Sequence, residues 1–154
     1  MKKYELTNKF ITTESGEKLF RIKALRDFGS VRAGGLGGLI EKEENLDQAG
    51  NAWVSGEARV SEDAQVRGDA QVTEDAEVCG NADYVTVKGF GRVYRTTTFF
   101  RERAGSVGVK CGCFYGTLDE FRKKVEETHG KSRKGKEYQM LADLMEYRFS
   151  HERN

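Results

Sequence analysis

The sequence predicts a mainly β chain: a short three-sided parallel β coil in the middle, an N-terminal β-hairpin before it and a C-terminal ββαα cap after it. Three observations carry that expectation. A six-residue repeat runs in unbroken register from Ile40 to Asn81. The segments on either side lack it and show the apolar spacing of strands or helices instead. Charge divides at nearly the same places: residues 1–39 carry 8 basic and 4 acidic side chains, residues 40–83 carry 3 and 12, and residues 84–154 carry 15 and 9. The expected units are 1–39, a hairpin with its lead-in; 40–89, the repeat; and 90–154, the cap.

The 154 residues suit one domain, or two small ones sharing a core. The chain has no run of 18 apolar residues, so no transmembrane helix is expected. MKKYELTNKF lacks the apolar stretch of a secretory signal. Three cysteines, an odd number, point to reduced thiols and a cytoplasmic protein.

The elements follow in order. Phe20, Ile22 and Ala24 alternate with Arg21 and Lys23, and ESGE at Glu14 to Glu17 is the turn of a hairpin over residues 4–25. GGLGGLI, Gly34 to Ile40, leads into the hexads; its glycines do not have the order of a phosphate-binding loop, and neither does GKS at Gly130 to Ser132. The hexads read IEKEEN, LDQAGN, AWVSGE, ARVSED, AQVRGD, AQVTED and AEVCGN. A period of six fits a short strand, a corner and a repeat, with Val inward, Ala at the bend and Gly-Asp or Glu-Asp at the polar corner. Three hexads make an 18-residue coil, which stacks Val72 on Val54 and Val78 on Val60. After Lys88, RVYRTTTFFRER and AGSVGVKCGCF predict a second hairpin that turns at Arg103 to Ser106. Thr117 with Glu120 forms a capping box for a helix with Leu118, Phe121 and Val125 on one face, closed by Gly130. A basic loop, KSRKGK, leads to a last helix from about Glu137, with Tyr138, Leu141, Leu144, Met145 and Phe149 as its apolar side.

Unbroken hexads over residues 36–89 resemble the left-handed β-helix of hexapeptide-repeat proteins. The flanking stretches, ELTNKFITTESGEKLFRIKALRDFGSVRAGGLGGLIEKEENL and GCFYGTLDEFRKKVEETHG, look like those of a phage and prophage hexapeptide-repeat family. There, a variable number of hexads separates two such ends. The resemblance covers nearly the whole chain and implies a short three-sided left-handed parallel β-helix and a phage context. Members are labelled transferases by fold analogy, so the resemblance supplies no catalytic residue.

Acyl transfer from coenzyme A is one enzymatic alternative, but it needs a general base, usually a histidine projecting from a coil. The only histidines are His129, at a predicted helix end where its charge suits the helix dipole, and His151, in the tail. No catalytic residue is expected, no cofactor and no metal. Cys111 and Cys113 lack a second cysteine pair and alternate with Val107 and Val109 as small core side chains, while Cys79 faces outward. The basic C-terminal module is the more suggestive feature. Arg92, Arg95, Arg101 and Arg103 lie on one predicted hairpin with Tyr94, Phe99 and Phe100, and Lys131, Arg133 and Lys134 follow in the loop. Guanidinium forks take phosphates bidentately and aromatic rings stack bases, so these residues are the candidate anion site.

Trp53 lies between inward Ala52 and Val54 and is expected to point outward as an interface anchor. A homo-oligomer is expected, a trimer before a dimer. The expected function is that of a non-enzymatic, phage-derived binding protein in the host cytoplasm, which occupies or inhibits a host component in a counter-defence role. It would act through its basic module or its acidic repeat. Sequestration of a nucleotide or nucleic acid is the alternative.

Overall fold

The computed structural model describes residues 1–151; the last three residues of the expected cap lie outside them. The expected N-terminal hairpin forms: β1 (Tyr4–Thr12) pairs antiparallel with β2 (Lys18–Ala24). Its turn closes where ESGE predicts, with the Glu17 carbonyl accepting from the Thr13 amide at 2.8 Å. β3 (Leu36–Ile40) then continues the sheet antiparallel to β2. Two glycines of the lead-in, Gly37 and Gly38, are packing residues. A Cβ on Gly37 would lie 2.6 Å from Ile22, Trp53 and the Val54 carbonyl.

The repeat buries what its period predicts. Ala52, Ala58, Ala64, Ala70 and Ala76, and Val54, Val60, Val66, Val72 and Val78, are all withdrawn from solvent. β4 (Trp53–Val54) pairs parallel with β6 (Gln71–Val72), and β5 (Arg59–Val60) with β7 (Glu77–Val78), each 18 residues apart.

The left-handed parallel β-helix expected from these hexads is nevertheless not what the chain forms. β5 and β7 complete a mixed five-stranded sheet of order β1-β2-β3-β5-β7, and β4–β6 is a separate two-stranded pair. The third side contributes one bridge, Leu46 to Val66, so no closed parallel solenoid results. The reason lies in the first two hexads, which carry Lys42 and Gln48 where later ones carry Val. Residues Glu43–Asn45 coil into a 3-10 turn instead of a strand. The open edge of β3 is taken by β2, which turns a would-be coil into one end of a mixed sheet.

The expected ββαα cap also needs correction. β8 (Tyr84–Phe90), β9 (Arg95–Arg101), β10 (Val107–Cys111) and β11 (Phe114–Thr117) form a four-stranded antiparallel sheet of order β11-β10-β9-β8. This antiparallel sheet starts at Tyr84, since β8 pairs with β9. α1 (Leu118–His129) starts at the expected capping box: the Glu120 amide donates to Thr117 Oγ1 at 3.1 Å, and the Thr117 amide to Glu120 Oε1 at 2.9 Å. Gly130, at φ 56°, closes it. α2 (Arg133–Phe149) starts four residues before the expected Glu137, because Ser132 caps it by accepting from the Gly135 amide at 3.3 Å. Tyr138, Ala142, Met145 and Phe149 are its buried face, while Leu144 is 55% exposed.

Strand β9 joins the two halves. Phe100 lies in the core of the repeat and the N-terminal hairpin, and its neighbour Phe99 lies in the core under α1 and α2. That is the alternation of one strand serving two cores. The Gln71 amide donates to Thr98 Oγ1 at 3.0 Å and the Arg103 amide to the Asp75 carbonyl at 3.0 Å, tying β9 and the turn after it to the repeat.

Lys3 is fully buried, its Nζ donating to the Ala52 carbonyl at 2.8 Å and lying 5.0 Å from the centre of the Phe28 ring. Burial in this site lowers its pKa from 10.5 to about 8. The folded chain therefore holds this proton less tightly than the unfolded one. The resulting stability is fully present above the unfolded value and is lost as pH falls toward 8. By urea denaturation the unmodified chain is expected to gain about 1–3 kcal/mol relative to Lys3→Met between pH 8 and 10, the tyrosines whose pKa burial raises opposing the rise equally in both. An equally steep rise in the variant would place its source elsewhere.

Candidate anion-binding pocket

The β8–β9 connection builds one wall of a pocket of about 320 Å³. It turns on Gly91, at φ 78°, where a Cβ would collide with the Tyr138 hydroxyl group, so the strand end can lie against α2 only with glycine there. The turn delivers Arg92 to the rim and Arg95 to the first position of β9. Gly112, at φ 58°, lets the Arg95 guanidinium lie over the β10–β11 turn, in space that a Cβ would occupy. From α1 come Lys124, Val125, Thr128 and His129. Residues 124 and 128 border the buried stripe of Leu118, Phe121 and Val125, and so reach the edge of the cavity. The floor is aromatic: Phe121 and Tyr138 meet edge to face at 5.7 Å, Phe114 lies 6.0 Å from Phe121, and the His129 ring lies 5.7 Å from Tyr138.

The electrostatics are one-sided. Among the described residues, Arg92, Arg95, Lys124 and Lys134 make no ion pair, and no carboxylate lines the pocket. Burial, together with the nearby Arg92 and Lys134 charges, lowers the His129 pKa. Burial also raises that of Tyr138, with the Cys111 thiol adding to the shift. Elsewhere Arg21 is paired with Glu57 at 3.2 Å, and Arg122 with Asp143 at 2.6 Å and Glu146 at 3.3 Å.

This sorts the residues expected to bind an anion. Arg92 and Arg95 meet in the pocket, and Lys134 acts on it through its charge. Lys131 and Arg133 are exposed and do not line it, and Arg133 lies 3.8 Å from Glu137. Arg103 is exposed but does not line this pocket, and Arg101 needs correction as a free surface fork. Arg101 Nε lies 3.2 Å from Asp83, and its two terminal nitrogens donate to the carbonyls of Phe149 and His151. Arg103 donates to the Glu57 carbonyl at 2.6 Å. Lys124 is not among the residues expected to bind an anion, and His129 reads from sequence as a helix-end charge. The signal for both was their position beside the apolar stripe of α1.

Trp53 is corrected as well. It points away from the repeat core but is only 8% exposed, because Tyr4 and Phe28 cover it with ring centres at 6.3 and 5.2 Å. The homo-oligomer expectation thereby loses its anchor. Among the described residues no group of three or more His, Cys, Asp or Glu could hold a metal ion, and no helix is long and apolar enough to cross a membrane. No protein-family model matches the chain, and no curated protein matches it. No relative therefore supports a phage origin or an inhibitory role.

Proposed function

We propose that the chain is a non-enzymatic binding protein that holds a phosphate-bearing ligand in the pocket of Arg92, Arg95, Lys124 and His129. One observation carries this reading: several cationic groups that make no ion pair among the described residues converge on one concavity, and no carboxylate lines it. Positive charges gathered around one concavity attract an anion, and planar guanidinium forks favour phosphate oxygens. The function is occupancy, withholding the ligand or whatever carries it.

The acidic repeat is a weaker candidate for the contact. Glu57 is paired with Arg21, Asp69 with Lys88, Asp83 with Arg101 and Glu43 with Lys2.

The test is calorimetry with inorganic pyrophosphate against the chain and against Arg92→Glu combined with Arg95→Glu. Both side chains are exposed, so the fold should survive. Each charged hydrogen bond contributes about 1.5–3 kcal/mol, so affinity should fall at least about a hundredfold. It should also weaken with salt in the unmodified chain. An unchanged affinity in the double variant would dismiss this pocket.

A further inference from the structure

We infer that the ligand is a mononucleotide, with its phosphates at the Arg92–Arg95 rim and its base against the aromatic floor of the same pocket. This rests on the phosphate reading above and adds the part of the ligand that the rim does not touch. The pocket has two chemically different ends. Arg92 and Arg95 are exposed at the mouth, whereas Phe121, Val125 and Tyr138 are buried. A bare phosphate would use only the mouth and leave the apolar end wetted. Ligand pockets instead pair a few polar groups with an apolar body.

The body that fits is a flat heterocycle rather than an alkyl chain. Half-buried Phe114 and His129 line the space in front of the buried rings of Phe121 and Tyr138, a lining that suits an aromatic guest. The apolar end also carries polar atoms, the Tyr138 hydroxyl and the Cys111 thiol. The latter accepts from Thr97 Oγ1 at 3.2 Å. These atoms are already hydrogen-bonded among Thr97, Cys111 and Tyr138, so it is the rings that favour a flat guest. More than one cation at the rim calls for more than a single carboxylate charge. Size sets the last limit, since about 320 Å³ is near the bottom of the range of ligand pockets and holds one nucleotide.

The experiment compares inorganic pyrophosphate, ADP, UDP, adenosine and a short single-stranded oligonucleotide by calorimetry, with the full chain and with Phe114→Ala. Phe114 is half-buried at the pocket wall. ADP or UDP should bind at least about tenfold more tightly than pyrophosphate, as base stacking on aromatic side chains provides. Adenosine should bind weakly, and Phe114→Ala should remove most of the nucleotide's advantage while leaving pyrophosphate affinity in place. Equal affinity for pyrophosphate and both nucleotides would overturn the base site and leave the phosphate reading standing. No binding by any probe would overturn both. Tighter binding of the oligonucleotide than of either mononucleotide would overturn the single-nucleotide assignment. The comparison of probes on the unmodified chain decides the matter even where Phe114→Ala fails to fold.

Discussion

Arg101→Glu should destabilise the chain by about 3–5 kcal/mol, the cost of breaking a buried ion pair and leaving one partner uncompensated. The Arg101 side chain is 13% exposed and that of Asp83 is 6% exposed. The guanidinium does three things at once. It balances Asp83, whose other oxygen accepts from the Cys79 amide at 2.8 Å. It donates to the carbonyls of Phe149 and His151 at the end of α2. It also lies 5.3 Å over the Phe149 ring. A glutamate there would set a second carboxylate beside Asp83 and two carbonyl oxygens, and would remove the guanidinium donors to all three. Arg101→Lys should lose less, because the charge stays and the fork is lost. Urea denaturation followed by circular dichroism reads both, and a loss below about 1 kcal/mol for Arg101→Glu would show the pair to be as weak as an exposed one. The result also bears on the pocket. Charge reversal at Arg101 would abolish ligand binding by unfolding the chain, so only Arg92 and Arg95 report on binding itself.

Arg101 also shows how far the sequence could be read. Its strand, its face and its neighbour Arg103 follow from alternation, and β9 does run from Arg95 to Arg101. What alternation could not show is that the last hexad brings Asp83 up to that face, a contact across 18 residues. The repeat has the same character. The Ala and Val columns and the 18-residue pairings are dictated by local period and are present. Whether short parallel pairs close on themselves depends on which strand reaches their free edge first, and β2 does. β11 escaped because Phe114–Thr117 is four residues long and runs straight into the helix cap at Thr117. The start of α2 escaped because four basic residues in KSRKGK read as a solvated loop, while Ser132 supplies the cap that lets them be helix. For the pocket, Arg92 and Arg95 were legible from composition. The third and fourth walls come from α1 and α2, whose packing angle no local pattern encodes.

Trp53→Ala should cost about 3–5 kcal/mol, the range for removing a large aromatic from a core. For a chain of this size that corresponds to a fall in melting temperature of about 6–20 °C. The indole is the hinge between the N-terminal hairpin and the repeat. Tyr4 meets it at 71° and Phe28 at 72°, both edge to face. On the third side Gly37 leaves room for it, since a Cβ there would lie 2.6 Å from Trp53 Cζ2. Truncation would leave a cavity lined by two rings and the β3 backbone, and β4, fixed in register by β6, cannot close it. Trp53→Phe should fall between the two, keeping one ring against Phe28 and giving up part of the contact with Tyr4. Thermal unfolding and light scattering on the same samples separate this role from that of a subunit contact. A buried core tryptophan predicts a lower melting temperature with no change in the mass of the folded protein. A melting temperature unchanged within about 2 °C, with a drop in mass, would instead put Trp53 between subunits.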